Sequence, residues 1–231
     1  KVKEIICVPL HTKQKVTGMM LVISDASQNN FVSSDLSILS ALSTQAAVVI
    51  ENAKLYESMK DQFLSTIRVA TNALEFKDAY TSGHSERVTE FAVLLSKELN
   101  LAHEEIENIR QAAILHDIGK IGISETILTK KGRLTDEEFA TIKLHPSIGD
   151  SIVEPMALNP VVRAGIRNHH ERWDGRGYPD GLAGEKIPFS ARIIALADAF
   201  DAMTSNRPYR DAMAMEKVYA EFIKCAGGQF D

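Results

Sequence analysis

Five of the seven histidines, His84, His116, His145, His169 and His170, fall inside or at the ends of segments that read as helix. Two carboxylates, Asp117 and Asp198, share those segments. Imidazole and carboxylate are the donors that intermediate divalent ions prefer, and a site needs several of them convergent. Taken singly, each has an ordinary reading as a satisfied core histidine, a cap or an ion-pair partner. Taken together they would place several imidazoles and two carboxylates inside one small bundle with no shared purpose, so the set points to a metal-dependent hydrolase.

The dipeptide His116-Asp117 carries most of this reading. It follows the apolar run Ala112-Ala113-Ile114-Leu115, and burying a carboxylate there without a cation or donors would be very costly. Adjacent helical residues point about 100° apart, so His116 can face one ion while Asp117 bridges toward a second. Gly119 is expected to end that helix. Lys120, three residues past the aspartate, can meet a phosphate oxygen as a point charge.

His84 falls in line with Val88 and Leu95, on the buried face of its helix. His145 precedes Pro146, a residue suited to a first helical turn. His169 continues the stripe of Val162, Gly165 and Ile166, while His170 points off it toward a loop. Asp198 lies four residues after Ile194, and its competing reading is an ion pair with Arg192 or Arg207. Arg207 and Arg210 are either solvated surface cations or substrate contacts that grip a phosphate or a guanine edge. Nitrogen and oxygen donors beside a lysine suit phosphoester hydrolysis, and no cysteine accompanies them to make a thiolate zinc site.

These groups need a helical frame, and the pattern supplies one. Residues 4–10 and 16–23 read as two strands of a hairpin, too small to stand without further partners; the missing partners lead us to expect more chain upstream. From about Ser34 to Phe76 the spacing turns helical. Leu39, Leu42, Ala46, Val49, Ala53, Tyr56, Lys60, Phe63, Ile67, Ala70 and Leu74 form a heptad seam,. Such a helix would be roughly 60 Å long, which predicts a parallel coiled-coil homodimer through residues 36–74. The alternative is two helices broken near Asp61, and Lys60 is the natural place for the coil to loosen. Further helices are expected at 84–99, 104–117, 135–144, 146–154, 160–172, 190–204 and 212–225. Loops are expected at 119–132 and in the glycine-rich run 173–181.

Composition bounds the rest. The chain has 231 residues, 45% hydrophobic and 25% charged, with a net charge of −5. These are ordinary globular values. No basic run is present, so no DNA partner is expected. Cys7 and Cys225 stand without a pattern and fit a reducing, cytoplasmic setting. No signal peptide and no transmembrane segment are expected.

Several stretches together resemble a known family. His116-Asp117-Ile118-Gly119-Lys120 and Gly177-Tyr178-Pro179 are similar to the two signatures of the HD-GYP subgroup of HD-domain phosphohydrolases. Tyr80-Thr81-Ser82-Gly83-His84, His169-His170-Glu171-Arg172-Trp173-Asp174-Gly175 and Ala197-Asp198-Ala199-Phe200-Asp201-Ala202-Met203 extend the match from about Lys77 onward. The resemblance implies hydrolysis of cyclic di-GMP to linear pGpG, and in many members onward to GMP. It implies metal ligation by His84, His116, Asp117, His145, His169, His170 and Asp198, and substrate contacts from Lys120, Arg207 and Arg210. Asp117 and Lys120 are the implied catalytic pair. The implied cofactors are two divalent ions, iron or manganese. Three-metal members carry a glutamate where this chain has Tyr80, and Asn206 replaces a common aspartate.

Residues 1–50, through Pro9-Leu10, Gly18 and Glu51-Asn52-Ala53, resemble the closing part of a GAF sensory domain. The expected architecture is therefore mainly all-α: an HD-type helical bundle over 77–231, a coiled-coil linker over 51–76 and a partial α/β GAF-like domain over 1–50. Alternatives remain open on the residues alone. They are a phosphohydrolase of cyclic GMP-AMP or guanosine tetraphosphate, and a catalytically weak nucleotide-binding module.

Overall fold

The computed structural model describes residues 2–13, 15–25, 30–75, 83–130, 132–206 and 211–231. Tyr80, Arg207 and Arg210 lie outside these residues. The chain divides into two compact units, residues 1–65 and 66–231.

In the first unit, strands β1 (Val2–His11) and β2 (Val16–Asp25) pair antiparallel, with Ile6 opposite Val22 and Val8 opposite Met20. Val8 is buried, while Ile5, Met19, Leu21 and Ile23 are exposed. The Phe31 N–H donates to Glu4 Oε2 at 2.7 Å, tying the start of the following helix to β1. That helix, α1 (Ser33–Glu75), runs 43 residues without the break considered near Asp61. Its seam residues Leu42, Val49, Tyr56 and Phe63 are exposed in the single chain, whereas Ile67 and Leu74 are buried. One 18-residue window of α1 reaches a mean hydropathy of 1.2, enough by length and composition alone to cross a membrane. Five charged residues, Glu51, Lys54, Glu57, Lys60 and Asp61, follow in this helix.

The second unit is a helical bundle. Its elements are α2 (His84–Glu98), α3 (His103–Leu115), α4 (Glu125–Leu128), α5 (Asp136–Ile142), α6 (His145–Val153), α7 (Pro160–Asn168), α8 (Phe189–Thr204) and α9 (Met215–Cys225). Val88 and Ala92 of α2, Ile109 to Leu115 of α3, Val162 and Ile166 of α7, and Ile193 to Ala197 of α8 form one core, joined by Ile67 and Leu74. Small side chains set the closest approaches. A Cβ on Gly165 would stand 2.8 Å from the Ala112 Cβ, so glycine here lets α7 lie against α3,.

Four expected helix ends move by two residues or more; α5 ends at Ile142 rather than Leu144, and α9 begins at Met215 rather than Ala212. The α3 helix stops at Leu115, and Gly119 does not terminate it; Ile118–Gly122 forms a 3-10 turn. Gly119 is small for a packing reason instead. A Cβ there would sit 1.9 Å from the His145 carbonyl oxygen and 2.5 Å from the Gly149 nitrogen, so only glycine lets this turn reach the start of α6. Likewise α7 ends at Asn168 rather than Arg172. The chain beyond it turns sharply, with the Glu171 N–H donating to the Asn168 carbonyl at 2.9 Å. Part of the expected 119–132 loop is the short helix α4.

Candidate metal centre

Helix ends deliver most of the donors. His84 is the first residue of α2 and His145 the first of α6; His116 and Asp117 directly follow α3, and His169 and His170 directly follow α7. Only Asp198 comes from mid-helix, on α8. All seven of these residues converge. The donor atoms of His84, His116 and Asp198 lie within 4.8 Å of one another, as do those of His145, His169 and His170, and those of His116, Asp117 and His169.

Asp117 divides its two oxygens between these groups. Its Oδ2 lies 3.5 Å from His116 Nε2 and 3.8 Å from His84 Nε2. Its Oδ1 lies 3.3 Å from His145 Nε2. On the far side, His84 Nε2 is 3.3 Å from Asp198 Oδ1.

The rings are oriented from behind. His116, His145 and His169 each place Nδ1 against the carbonyl three residues earlier, Ala113 at 2.6 Å, Ile142 at 2.8 Å and Ile166 at 2.7 Å. A carbonyl can only accept, so each Nδ1 carries the proton and each Nε2 presents a lone pair to the centre. His145 Nε2 and His169 Nε2 then face each other at 3.3 Å with no proton between them. His116 Nε2 is buried without a hydrogen-bond partner. A buried group left so is costly, and cations held among these donors would satisfy all three nitrogens. The residues therefore fit divalent metal binding, with the outer hydrogen bonds that metal-ligating imidazoles characteristically make.

Electrostatics agree. Burial pushes His170 down to about 4, burial lowers His145, and burial together with neighbouring imidazoles holds His169 well below its usual range. These rings are neutral at physiological pH, the form in which imidazole can ligate a metal. Burial would raise Asp117, but the positive charge of Lys120 and the surrounding imidazoles holds it well below the usual carboxylate range. His84 goes the other way: burial lowers it, yet hydrogen bonds to Asp198 and Asp201 outweigh burial and raise it to about 9.

Lys120 stands at the edge of this set, its Nζ donating to Asp117 Oδ2 at 2.6 Å. The alternative pairing of Asp198 with Arg192 is not formed. Arg192 donates to Asp231 at 2.7 Å and lies over the Trp173 and Phe189 rings.

Sequence reasoning assigned no role to three supporting residues. Asp201 accepts from His84 Nδ1 at 2.7 Å and from Arg87 Nε at 2.6 Å. It lies one turn beyond Asp198 on the same helix face, a spacing that could have flagged it. Glu171, buried, receives the backbone N–H groups of Asp180, Gly181 and Leu182 at 2.7, 3.1 and 3.0 Å. It thereby folds the glycine-rich loop back so that the Tyr178 ring stacks on His170 at 4.8 Å. The third is Glu75, at the end of α1. A cavity of about 630 Å³ opens from His169, His170, Tyr178 and Asp198 along α8 toward Glu221, Cys225 and Gln229, a volume suited to a small-molecule ligand.

The family model described as "HD domain" matches residues 68–231. The chain is 40% identical over 192 residues to the cyclic di-GMP phosphodiesterase response regulator RpfG of Xanthomonas campestris, covering 81% of this chain and 50% of that protein. It is 35% identical over 178 residues to the 3'3'-cGAMP-specific phosphodiesterase 3 of Vibrio cholerae, covering 77% of this chain and 39% of that protein. The chain thus spans about half or less of the length of these relatives. A crystal structure of a cyclic GMP-AMP-specific phosphodiesterase from V. cholerae shares the fold, with a TM-score of 0.56 and 20% identity over 72% of this chain and 45% of that one. The helical bundle, the converging histidines and aspartates and the family match together make this chain a member of the HD-domain family.

Proposed function

We propose that this protein is a metal-dependent phosphodiesterase that hydrolyses a cyclic dinucleotide, cyclic di-GMP, to the linear dinucleotide pGpG. The observation that carries the reading is the division of Asp117 between two histidine groups. One oxygen faces His84 and His116, the other faces His145, an arrangement suited to a carboxylate bridging two ions. His84, His116 and Asp198 would hold one ion, and His145, His169 and His170 the other. Iron or manganese suits this all-nitrogen-and-oxygen donor set. When bound, such ions supply Lewis acidity toward phosphoryl oxygens and a nucleophile at neutral pH.

The chain's own residues do the remainder. The backbone carbonyls behind His116, His145 and His169 hold the rings in one tautomer. Lys120 keeps Asp117 ionised and offers positive charge at the cluster's edge, where a scissile phosphate would sit. Tyr178 packs over His170 and shields it from bulk water, and the adjoining cavity receives the nucleotide. Arg207 and Arg210, which follow α8 in the chain, are assigned to the second phosphate or a guanine edge.

Cyclic GMP-AMP is the second reading, supported by the 35% identity to a relative specific for it. Metal analysis combined with kcat/KM for both cyclic dinucleotides decides between them. A clear preference for cyclic di-GMP supports the first reading, and a preference for cyclic GMP-AMP replaces it.

The organisation proposed is a GAF-like segment over 1–50, a linker over 51–76 and the phosphodiesterase over 77–231. A parallel homodimer would cover the exposed seam of Leu42, Val49, Tyr56 and Phe63. Inserting one residue after Lys60 rotates everything beyond it by about 100° and should change activity strongly; unchanged kinetics would remove the linker from the regulatory account.

A further inference from the structure

The start of α2 lacks the cap its sequence position should supply. Gly83 is the N-cap residue, with φ of 69° and no side chain to accept from the first-turn amides,. Glu75 fills the role from eight residues before Gly83. Its Oε2 accepts from the Gly83 N–H at 2.7 Å and its Oε1 from the Ser85 N–H at 2.8 Å. The two bonds fall on either side of His84, so one carboxylate fixes the backbone before and after a member of the metal cluster. A negative charge at a helix N-terminus is favourable in its own right. Glu75 is buried, and it shares a narrow cleft with His84, Asp117 and Lys120.

We propose that Glu75 is a positioning residue for the metal centre, acting on the His84–His116–Asp198 half and not on the His145–His169–His170 half. The His84 ring is held at one end by Asp201 and its backbone at the other by Glu75, so loss of Glu75 frees Nε2 to drift from Asp117 and Asp198. The other half has no such dependence: the His145 and His169 rings are fixed by the carbonyls of Ile142 and Ile166, and the His170 ring stacks on Tyr178. Glu75 is also the last residue of α1. A shift or rotation of that helix end would therefore reach one ion site and leave its neighbour in place, giving the linker a direct route to the chemistry. The inference rests on the two-ion reading of the cluster.

Metal content of the full chain, measured by equilibrium dialysis against manganese and mass spectrometry, tests it for wild type, Glu75→Ala and Glu75→Gln. Thermal melts of each variant check folding. Wild type should take two equivalents. Glu75→Ala should keep one at unchanged affinity and bind the second about tenfold or more weakly, the usual scale for lost outer support of a ligand. Glu75→Gln, which keeps one carbonyl acceptor, should fall between. If Glu75→Ala does not fold, the glutamine variant alone is decisive. Two equivalents at wild-type affinity in folded Glu75→Gln, or equal weakening of both, would overturn the proposal. Wild-type chain that binds no metal would instead overturn the metal-centre reading beneath it.

Discussion

His145 and His169 face each other through Nε2 atoms 3.3 Å apart, while the Nδ1 of each is committed to a backbone carbonyl. Neither facing nitrogen has a proton to share, so the pair is stable only with a cation between or a proton added. Burial opposes the added proton, since both rings are held below their usual range.

Chelation should therefore destabilise the protein rather than merely silence it. Stability conferred by a bound ion grows with its concentration, reaching about 4 kcal/mol at a thousandfold excess over Kd. The melting temperature should fall on treatment with chelator and climb again with added manganese. A melting temperature indifferent to both would contradict the reading of these two rings as ligands.

Metal loading should also release protons, and His84 is their source. In the metal-free protein its pKa is raised to about 9, above the ordinary 6.5, so at pH 7.5 the ring is cationic. Its stabilising contribution is full below pH 6.5 and is lost as pH rises through about 9. Binding an ion at Nε2 displaces that proton. Titration calorimetry in buffers of different ionisation enthalpy should report about one proton per chain at pH 7.5, disappearing above pH 9. His170, lowered to about 4, is already neutral and contributes none. Zero release at pH 7.5 would show that His84 is not a ligand.

Gly119→Ala tests the contact that seats His145. The added Cβ would stand 1.9 Å from the His145 carbonyl oxygen, with backbone on both sides and no flexible side chain to move. Overpacking of this kind costs about 3 kcal/mol or more. Urea unfolding should show that loss, and metal content should fall in the folded fraction. A neutral substitution would mean that the 3-10 turn and α6 are less tightly joined than they stand here.

Much of the site was legible because its chemistry is concentrated in rare residue types. His116-Asp117 and His145-Pro146 mark helix ends from sequence, whereas His169-His170, expected inside a helix to Arg172, lie just past the end of α7. The supporting groups were harder to read. Glu75 and Glu171 are ordinary glutamates whose roles come from backbone amides brought back by turns, which no side-chain periodicity records. Gly119 was read as a helix terminator because glycine often is one; its actual constraint is a neighbour 26 residues away in the chain, His145. The long helix was readable from its heptads, whereas the ends of α3 and α7 were set too late. The apolar stripe runs on into the histidines there, and burial for ligation looks like burial for packing.

On the proposed reading Asp117 would help hold two ions, and the metal-loaded chain would hydrolyse a cyclic dinucleotide. The most direct test of this claim is chromatography of the products from cyclic di-GMP, run on metal-free chain, manganese- or iron-loaded chain, and Asp117→Ala loaded in the same way, with metal content measured in each. The loaded wild type should yield pGpG, the metal-free chain none, and Asp117→Ala should lose turnover and metal together. Metal-dependent turnover surviving in Asp117→Ala, or a fully loaded wild type that binds cyclic di-GMP tightly without cleaving it, would contradict the claim.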